Sequence, residues 1–224
     1  MDTFDLYKDI QCRTNGEIYL GVVGPVRSGK STFIKRFMDV LVLPKMTDEH
    51  AKERTVDELP QSASGKSIMT TEPKFVPKEA AEIQLAKDVS VLVRLIDCVG
   101  YMVEGAAGHM ENGAERLVKT PWNEKEIPFT KAAEIGTKKV IHDHSTIGIV
   151  VTTDGSIGEL PRNSYRAAEK KTIQELKSIG KPFVVLVNTR KPYSAEAKNV
   201  AEEIQKEYQV TALPVNLSLI HISE

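Results

Sequence analysis

The chain has 224 residues, with 30 Lys and Arg against 31 Asp and Glu, a formal net charge of -1 and 41% hydrophobic residues. That length carries one generous domain whose core needs no staples, and the near-zero charge supplies no field to gather DNA, RNA or an acidic membrane. Two cysteines, Cys12 and Cys98, give no disulfide framework and point to a reducing compartment, and no uncharged apolar run approaches about 18 residues, so neither a membrane span nor a secretory leader is expected.

In chain order, "EIYLGVVG" (17–24) predicts a short buried strand stopped by glycine. "KSTFIKRFMDVLVLP" (30–44) predicts a helix with Phe33, Phe37 and Val40 on one face and a proline stop. Residues 45–70 are polar and irregular and read as a long surface loop. "PKFVP" (73–77) reads as a short antiparallel edge strand between prolines. "VSVLVRLIDCVG" (89–100) is a second buried strand, and residues 101–130 carry Gly, Pro, Glu and Asn without clear periodicity. Then come a helix over 131–145, a strand over 146–155, a helix over 165–180 closed by Gly180, a strand over 181–190, a helix over 194–208 and a last short strand over 210–218. Buried strands alternating with helices predict an α/β fold of three layers with a mostly parallel sheet.

The chemistry concentrates at Gly24-Pro25-Val26-Arg27-Ser28-Gly29-Lys30-Ser31-Thr32, which matches G-x-x-x-x-G-K-[ST] between a predicted strand and a predicted helix. Gly24 and Gly29 let the backbone curl so that successive N–H groups face one anion, and the following helix adds its positive end. Lys30 reaches β- and γ-phosphates and Ser31 offers an oxygen to Mg2+. "RLIDCVG" puts Asp97 at a strand end, where a carboxylate serves a metal, and Gly100 three residues on, where an N–H meets a γ-phosphate. In "SIMTTEP", Thr70 and Thr71 are both candidates to complete the Mg2+ shell, and spacing does not choose between them. A second "SGKS" at 64–67 has Pro60 where the first glycine belongs and reads as loop. The five histidines show no metal spacing, and Trp122 reads as a packing anchor rather than a base platform.

Phosphate loop, loop threonine, D-x-x-G and a later strand ending in Asn188 follow the order of the translation-factor-related P-loop GTPases. "YLGVVGPVRSGKSTFIKRFM", "DELPQSASGKSIMTTEPKFVP", "RLIDCVGY", "TPWNEKEIPFTKAAEIGTKKVI" and "HSTIGIVVTTDGSI" resemble the stage IV sporulation protein A family, spore-coat morphogenetic ATPases of endospore-forming bacteria. The resemblance covers nearly all of residues 4 to 216. It implies a P-loop NTPase domain over 1–216, ATP and Mg2+ as cofactors, and slow hydrolysis that drives self-assembly into the basal layer of the coat. By the same resemblance Lys30 binds phosphate, Thr70 or Thr71 senses it, and Asp97 serves the metal. The implied setting is the cytoplasm of the mother cell, at the forespore surface. The implied partners are further copies in a polymer, a small membrane-anchoring peptide and other coat proteins, through a C-terminal part that these residues do not include; no nucleic acid and no transmembrane contact are implied. "LSLIHISE" does not look like the family, and 217–224 reads as a truncated or non-native tail.

The departures carry information. Guanine-specific relatives end a strand with N-K-x-D, whose Asp accepts from guanine; here Asn188-Thr189-Arg190-Lys191 ends in a lysine with nothing to accept. Guanine discrimination should collapse, which fits an ATPase better than a regulatory GTPase switch. Asn188 reads either as a brace for the phosphate loop or as a strand-end turn residue. Tyr101 stands where many relatives carry a water-orienting Gln, so turnover should be slow, and a scaffold that binds nucleotide without turnover is the second rival. Arg27 occupies the position of the Asn found in potassium-assisted relatives. It reads as a stand-in for that cation, as a finger reaching a neighbour's nucleotide, or as a surface arginine.

Overall fold

A computed structural model describes residues 16–46, 48–60, 72–86, 89–111 and 113–219. The β-branched runs form the strands of a six-stranded sheet: β1 (Glu17–Val23), β2 (Lys74–Ala86), β3 (Val89–Asp97), β8 (Ile147–Thr153), β9 (Phe183–Asn188) and β10 (Ala212–Val215), in the order β10-β9-β8-β1-β3-β2. All neighbours are parallel except β2, which runs antiparallel to β3 at the edge. This is the expected α/β fold, mostly parallel with one antiparallel edge strand. β1 lies between β3 and β8, so the chain order reverses there and a crevice opens beyond its C-terminal end.

Alternation along the strands divides the core between the two faces. Val22, Val93, Leu95 and Val151 pack on one side with Phe33 and Ile34 of α1 (Lys30–Phe37). Val23, Ile96, Val150, Val185 and Val187 pack on the other, against Tyr165, Ile173 and Leu176 of α4 (Arg162–Ser178) and Ala201 and Ile204 of α5 (Ala195–Tyr208). Each such fully buried aliphatic or aromatic side chain contributes about 1.5–3 kcal/mol of transfer free energy. α3 (Phe129–Lys139) covers the same side, and its continuation packs Val140 and Ile141 into the core.

Several expected boundaries move. The predicted helix over 30–44 ends as an α-helix at Phe37 and widens into a π-helical turn, Met38–Val42. The buried face is Phe33, Ile34, Met38 and Val42, with Ile34, Met38 and Val42 four residues apart, and Val40 is only half-buried. The predicted loop over 45–70 contains α2 (Glu49–Glu58), whose N-cap Asp48 accepts from the His50 and Ala51 amides at 2.9 and 3.1 Å. The edge strand is longer than 73–77. It runs to Ala86, with a register shift between Val76 and Ala81. Residues 101–130 hold two small antiparallel pairs, β4 (Met110–Glu111) with β5 (Ala114–Glu115) and β6 (Leu117–Thr120) with β7 (Asn123–Pro128).

Both sheet edges are blunted. Along β2 the Glu58 carboxylate of α2 takes the Lys78 amide at 2.8 Å, and the Lys45 ammonium takes the Gln84 carbonyl at 3.1 Å. At the other edge β10 has four residues, and one of them is Pro214.

Candidate nucleotide site

The C-terminal end of β1 turns directly into the phosphate loop, and the loop turns into α1. Gly24 adopts φ 132, and a Cβ there would lie 2.3 Å from the Val151 carbonyl oxygen, so only glycine lets the loop leave β1 this close to β8. Gly29 caps α1 in the left-handed region, and Thr32 is the third residue of that helix. Val26 is packed into the core. Lys30 is 5% exposed, and its ammonium donates to the Pro25 carbonyl at 2.6 Å. Burial pushes the Lys30 amine below its ordinary value, opposed by nearby Cys98 and Asp97.

The Ser31 hydroxyl donates to Asp97 Oδ2 at 3.3 Å, joining the first turn of α1 to the end of β3. Burial pushes the Asp97 carboxyl above its ordinary range, against the pull of Lys30 and Ser31. Asp97 Oδ1 and Ser28 Oγ are buried with no hydrogen-bond partner among the described residues. Buried polar atoms are almost always paired, and a carboxylate oxygen left open near a buried ammonium suits a phosphate with a divalent cation. The described residues contain no cluster of three or more His, Cys, Asp or Glu side chains placed to hold a metal. A cation held by Ser31 and Asp97 would share its shell with phosphate oxygens and water, as Mg2+ commonly does.

Asn188 ends β9 and reaches back 160 residues: its Nδ2 donates to the Ser28 carbonyl at 3.0 Å, and its Oδ1 accepts the Leu217 amide at 3.3 Å. Of the two roles left open for it, the geometry shows the brace. The described packing also passes the expected domain end at 216: Leu217 is fully buried, and the Ser218 carbonyl accepts from Arg36 at 3.3 Å. Thr189-Arg190-Lys191 continues from Asn188 as a loop. Thr189 Oγ1 accepts the Lys191 amide at 3.2 Å, and Ser156 Oγ accepts the Arg190 amide at 3.0 Å. Ser156 is itself held by Asp154 Oδ1, through its amide at 2.9 Å and its hydroxyl at 2.6 Å. Sequence reasoning passed over that turn, although Asp-Gly-Ser after a strand was its signal. The Lys191 residue is exposed.

Arg27 is exposed and takes φ 58, a left-handed conformation that costs a side chain about 1 kcal/mol or more. Its guanidinium donates to the Ala107 carbonyl at 3.2 Å. Tyr101 is 4% exposed, and burial pushes its phenol above the ordinary range, so it stays neutral. Gly100 lies against the loop, as described below. Thr70, Thr71 and the second "SGKS" fall outside the described residues. His142 pairs with Glu175 at 2.7 Å, His144 meets Phe75 edge-on, and the Lys139 ammonium lies 5.8 Å from the Trp122 ring centroid.

A family model described as the stage IV sporulation protein A ATPase domain matches residues 1–224. Proteins named "Stage IV sporulation protein A" from Clostridioides difficile (strain 630), Bacillus anthracis and Bacillus subtilis (strain 168) are 57%, 50% and 50% identical to this chain over 95%, 97% and 100% of its length. The chain covers 43%, 44% and 46% of those relatives, so it spans less than half the length of the curated proteins it matches. Two solved structures titled as mutation variants of SsGBP align over 93% and 96% of this chain and 52% and 59% of their own, at 14% and 13% identity, each with a TM-score of 0.46. No helix among the described residues is long and apolar enough to cross a membrane. With a family model matched from end to end and half or more of its residues shared with three named members, the chain belongs to the stage IV sporulation protein A family, as its ATPase domain.

Proposed function

We propose that this chain binds ATP with Mg2+ in the crevice beyond β1 and hydrolyses it slowly, as the nucleotide-driven part of a protein that self-assembles into the basal layer of the spore coat. The observation that carries the chemistry is the open Asp97 Oδ1 near the buried Lys30 ammonium, at the end of a strand–glycine loop–helix unit. Mg2+ bound there would neutralise charge on the β- and γ-phosphates. Lys30 would hold the same oxygens, Asn188 keeps the loop in shape through Ser28, and Gly100 stands ready to offer its amide. Lys191 in place of an acceptor supports adenine over guanine as the base tolerated at the 188–191 loop.

The family name and the 50–57% identities support the sporulation setting. Polymerisation, coat-protein partners and a small membrane-anchoring peptide are proposed for the whole protein, in the mother-cell cytoplasm at the forespore surface. Tyr101, neutral and buried where many translation-factor-related GTPases carry Gln, favours slow turnover and keeps a non-hydrolysing scaffold as the second reading.

Lys30→Ala tests the site. It should abolish ATP binding in a protein whose circular dichroism and melting remain cooperative. ATP affinity equal to the unaltered chain's would remove the phosphate-loop reading. In the unaltered chain GTP should not outcompete ATP tenfold, about 1.4 kcal/mol.

A further inference from the structure

The placement of the Tyr101 side chain, next to the site, is not used by the proposed chemistry. Its ring is inside the core with Val26, Cys98, Val140, Tyr165 and Ala168. The Lys171 ammonium of α4 lies 4.7 Å from the ring centroid and is fixed by Glu134 of α3 at 2.9 Å. The hydroxyl is buried with no hydrogen-bond partner among the described residues, so it is the ring, not the phenol oxygen, that is gripped.

The backbone of the same residue is gripped from the other side. The Tyr101 amide donates to the Gly24 carbonyl at 3.2 Å, and the Tyr101 carbonyl accepts the Val26 amide at 2.9 Å. Pro25 and Tyr101 thus form a parallel bridge that resumes the β1–β3 ladder beyond Val22 and Asp97. Gly100, held between Asp97 and this bridge, has φ 94. A Cβ on it would lie 2.1 Å from the Gly24 carbonyl oxygen and 2.6 Å from the Lys30 nitrogen. Its backbone therefore abuts the ammonium that serves the phosphates.

We propose that Tyr101 is a positioning residue: its buried ring bolts the 100–101 segment to the phosphate loop, so that the Gly100 backbone stands against the Lys30 ammonium, where a γ-phosphate would arrive, before any nucleotide binds. The ring replaces nucleotide-driven closure of this segment, and the hydroxyl takes no part. The nucleotide arm of the test rests on the ATP-site reading above; the exchange arm does not.

The experiment combines amide hydrogen exchange on the nucleotide-free chain with binding of ADP and of a non-hydrolysable ATP analogue, and with turnover, in Tyr101→Phe, Tyr101→Leu and Tyr101→Gln. The Val26 and Tyr101 amides should be protected without nucleotide in the unaltered chain and in Tyr101→Phe, and should exchange about tenfold faster or more in Tyr101→Leu. Tyr101→Phe should keep kcat and KM. Tyr101→Leu should bind ADP within about threefold of the unaltered chain, while losing about tenfold or more in affinity for the analogue and in kcat. Tyr101→Gln should behave as Tyr101→Leu does. Unprotected Val26 and Tyr101 amides in the nucleotide-free chain would overturn the proposal, and so would loss of turnover in Tyr101→Phe or faster turnover in Tyr101→Gln. Should Tyr101→Leu not fold, the exchange pattern of the unaltered chain and the kinetics of Tyr101→Phe decide. Failure of the unaltered chain to bind either nucleotide would refute the ATP site and leave the exchange result to decide the anchorage.

Discussion

Removing the Asn188 side chain should loosen the phosphate loop without touching a phosphate. Asn188→Ala strands two groups, the Ser28 carbonyl and the Leu217 amide, both on fully buried residues. A buried polar group left without its partner costs about 1–3 kcal/mol, so the pair costs about 2–6 kcal/mol. That is a large share of the roughly 5–15 kcal/mol that holds a domain folded. At about 2–4 °C per kcal/mol for a chain of this size, the melting temperature should fall by roughly 5–20 °C. Bound nucleotide must then restore the loop's shape at its own expense. If the lost Ser28 tether is worth about 1 kcal/mol, ATP affinity falls about fivefold. Asn188→Asp separates the two bonds, because its carboxylate still accepts the Leu217 amide but repels the Ser28 carbonyl and any phosphate. At neutral pH it should melt no higher than Asn188→Ala, because the buried carboxylate is desolvated and repels the Ser28 carbonyl, and it should bind ATP more weakly still. Thermal melts with and without ATP, and titration calorimetry, read both quantities. Melting within about 2 °C of the unaltered chain, with unchanged ATP affinity, would refute the brace.

Asp97→Asn should stabilise the nucleotide-free chain while removing Mg2+-dependent ATP binding. Burial raises this carboxyl above its ordinary value of 3.8, so the folded state binds the extra proton, and ionisation costs stability as pH rises through the folded pKa. The melting advantage of Asp97→Asn should therefore be absent below about pH 4 and grow above it; a pH-independent difference would contradict the burial argument. Thr70→Ala with Thr71→Ala should spare ATP binding and cripple hydrolysis, since the phosphate loop supplies the ground-state contacts; normal phosphate release would place the sensing residue elsewhere. Turnover should be equal in sodium and potassium buffers if the Arg27 guanidinium supplies the charge, and should rise with protein concentration if Arg27 instead reaches a neighbouring copy. Arg27→Ala lowers turnover in both cases, and unchanged turnover at every concentration would return Arg27 to a tether for the Ala107 carbonyl.

What could be read in advance follows from what each element is packed against. β1, β3, β8 and β9 lie inside the sheet, and their runs rich in Val, Ile and Leu announce them. The glycines and Lys30 follow from the geometry of anion binding, and the structure brings Lys30, Ser31, Asp97 and Asn188 into one crevice. α2 left no apolar signature because it covers a sheet edge rather than the core; Thr55 is its buried residue, and Asp48 was its one legible signal. β2 hid behind Lys78, Glu79 and Glu82, charges that an edge strand carries and a central strand does not. The helix over 30–44 offers apolar residues on more than one row, and the structure buries Ile34, Met38 and Val42 rather than Phe37 and Val40, with a π-helical turn from Met38 that the 3.6-residue period does not foresee. The bridge between Pro25 and Tyr101 was invisible, because it uses backbone atoms alone and joins residues 76 apart.

The capped margins of the sheet bear on how copies of this chain could join. Backbone ladders recruit strands with little regard for sequence and release them slowly, as cross-β aggregates do. With Glu58 and Lys45 occupying backbone groups on one margin, and a short strand containing proline on the other, that route is obstructed at both ends. Joining through the margins of the six-stranded sheet would therefore be disfavoured against contacts made by side chains, where angle and partner are specified contact by contact.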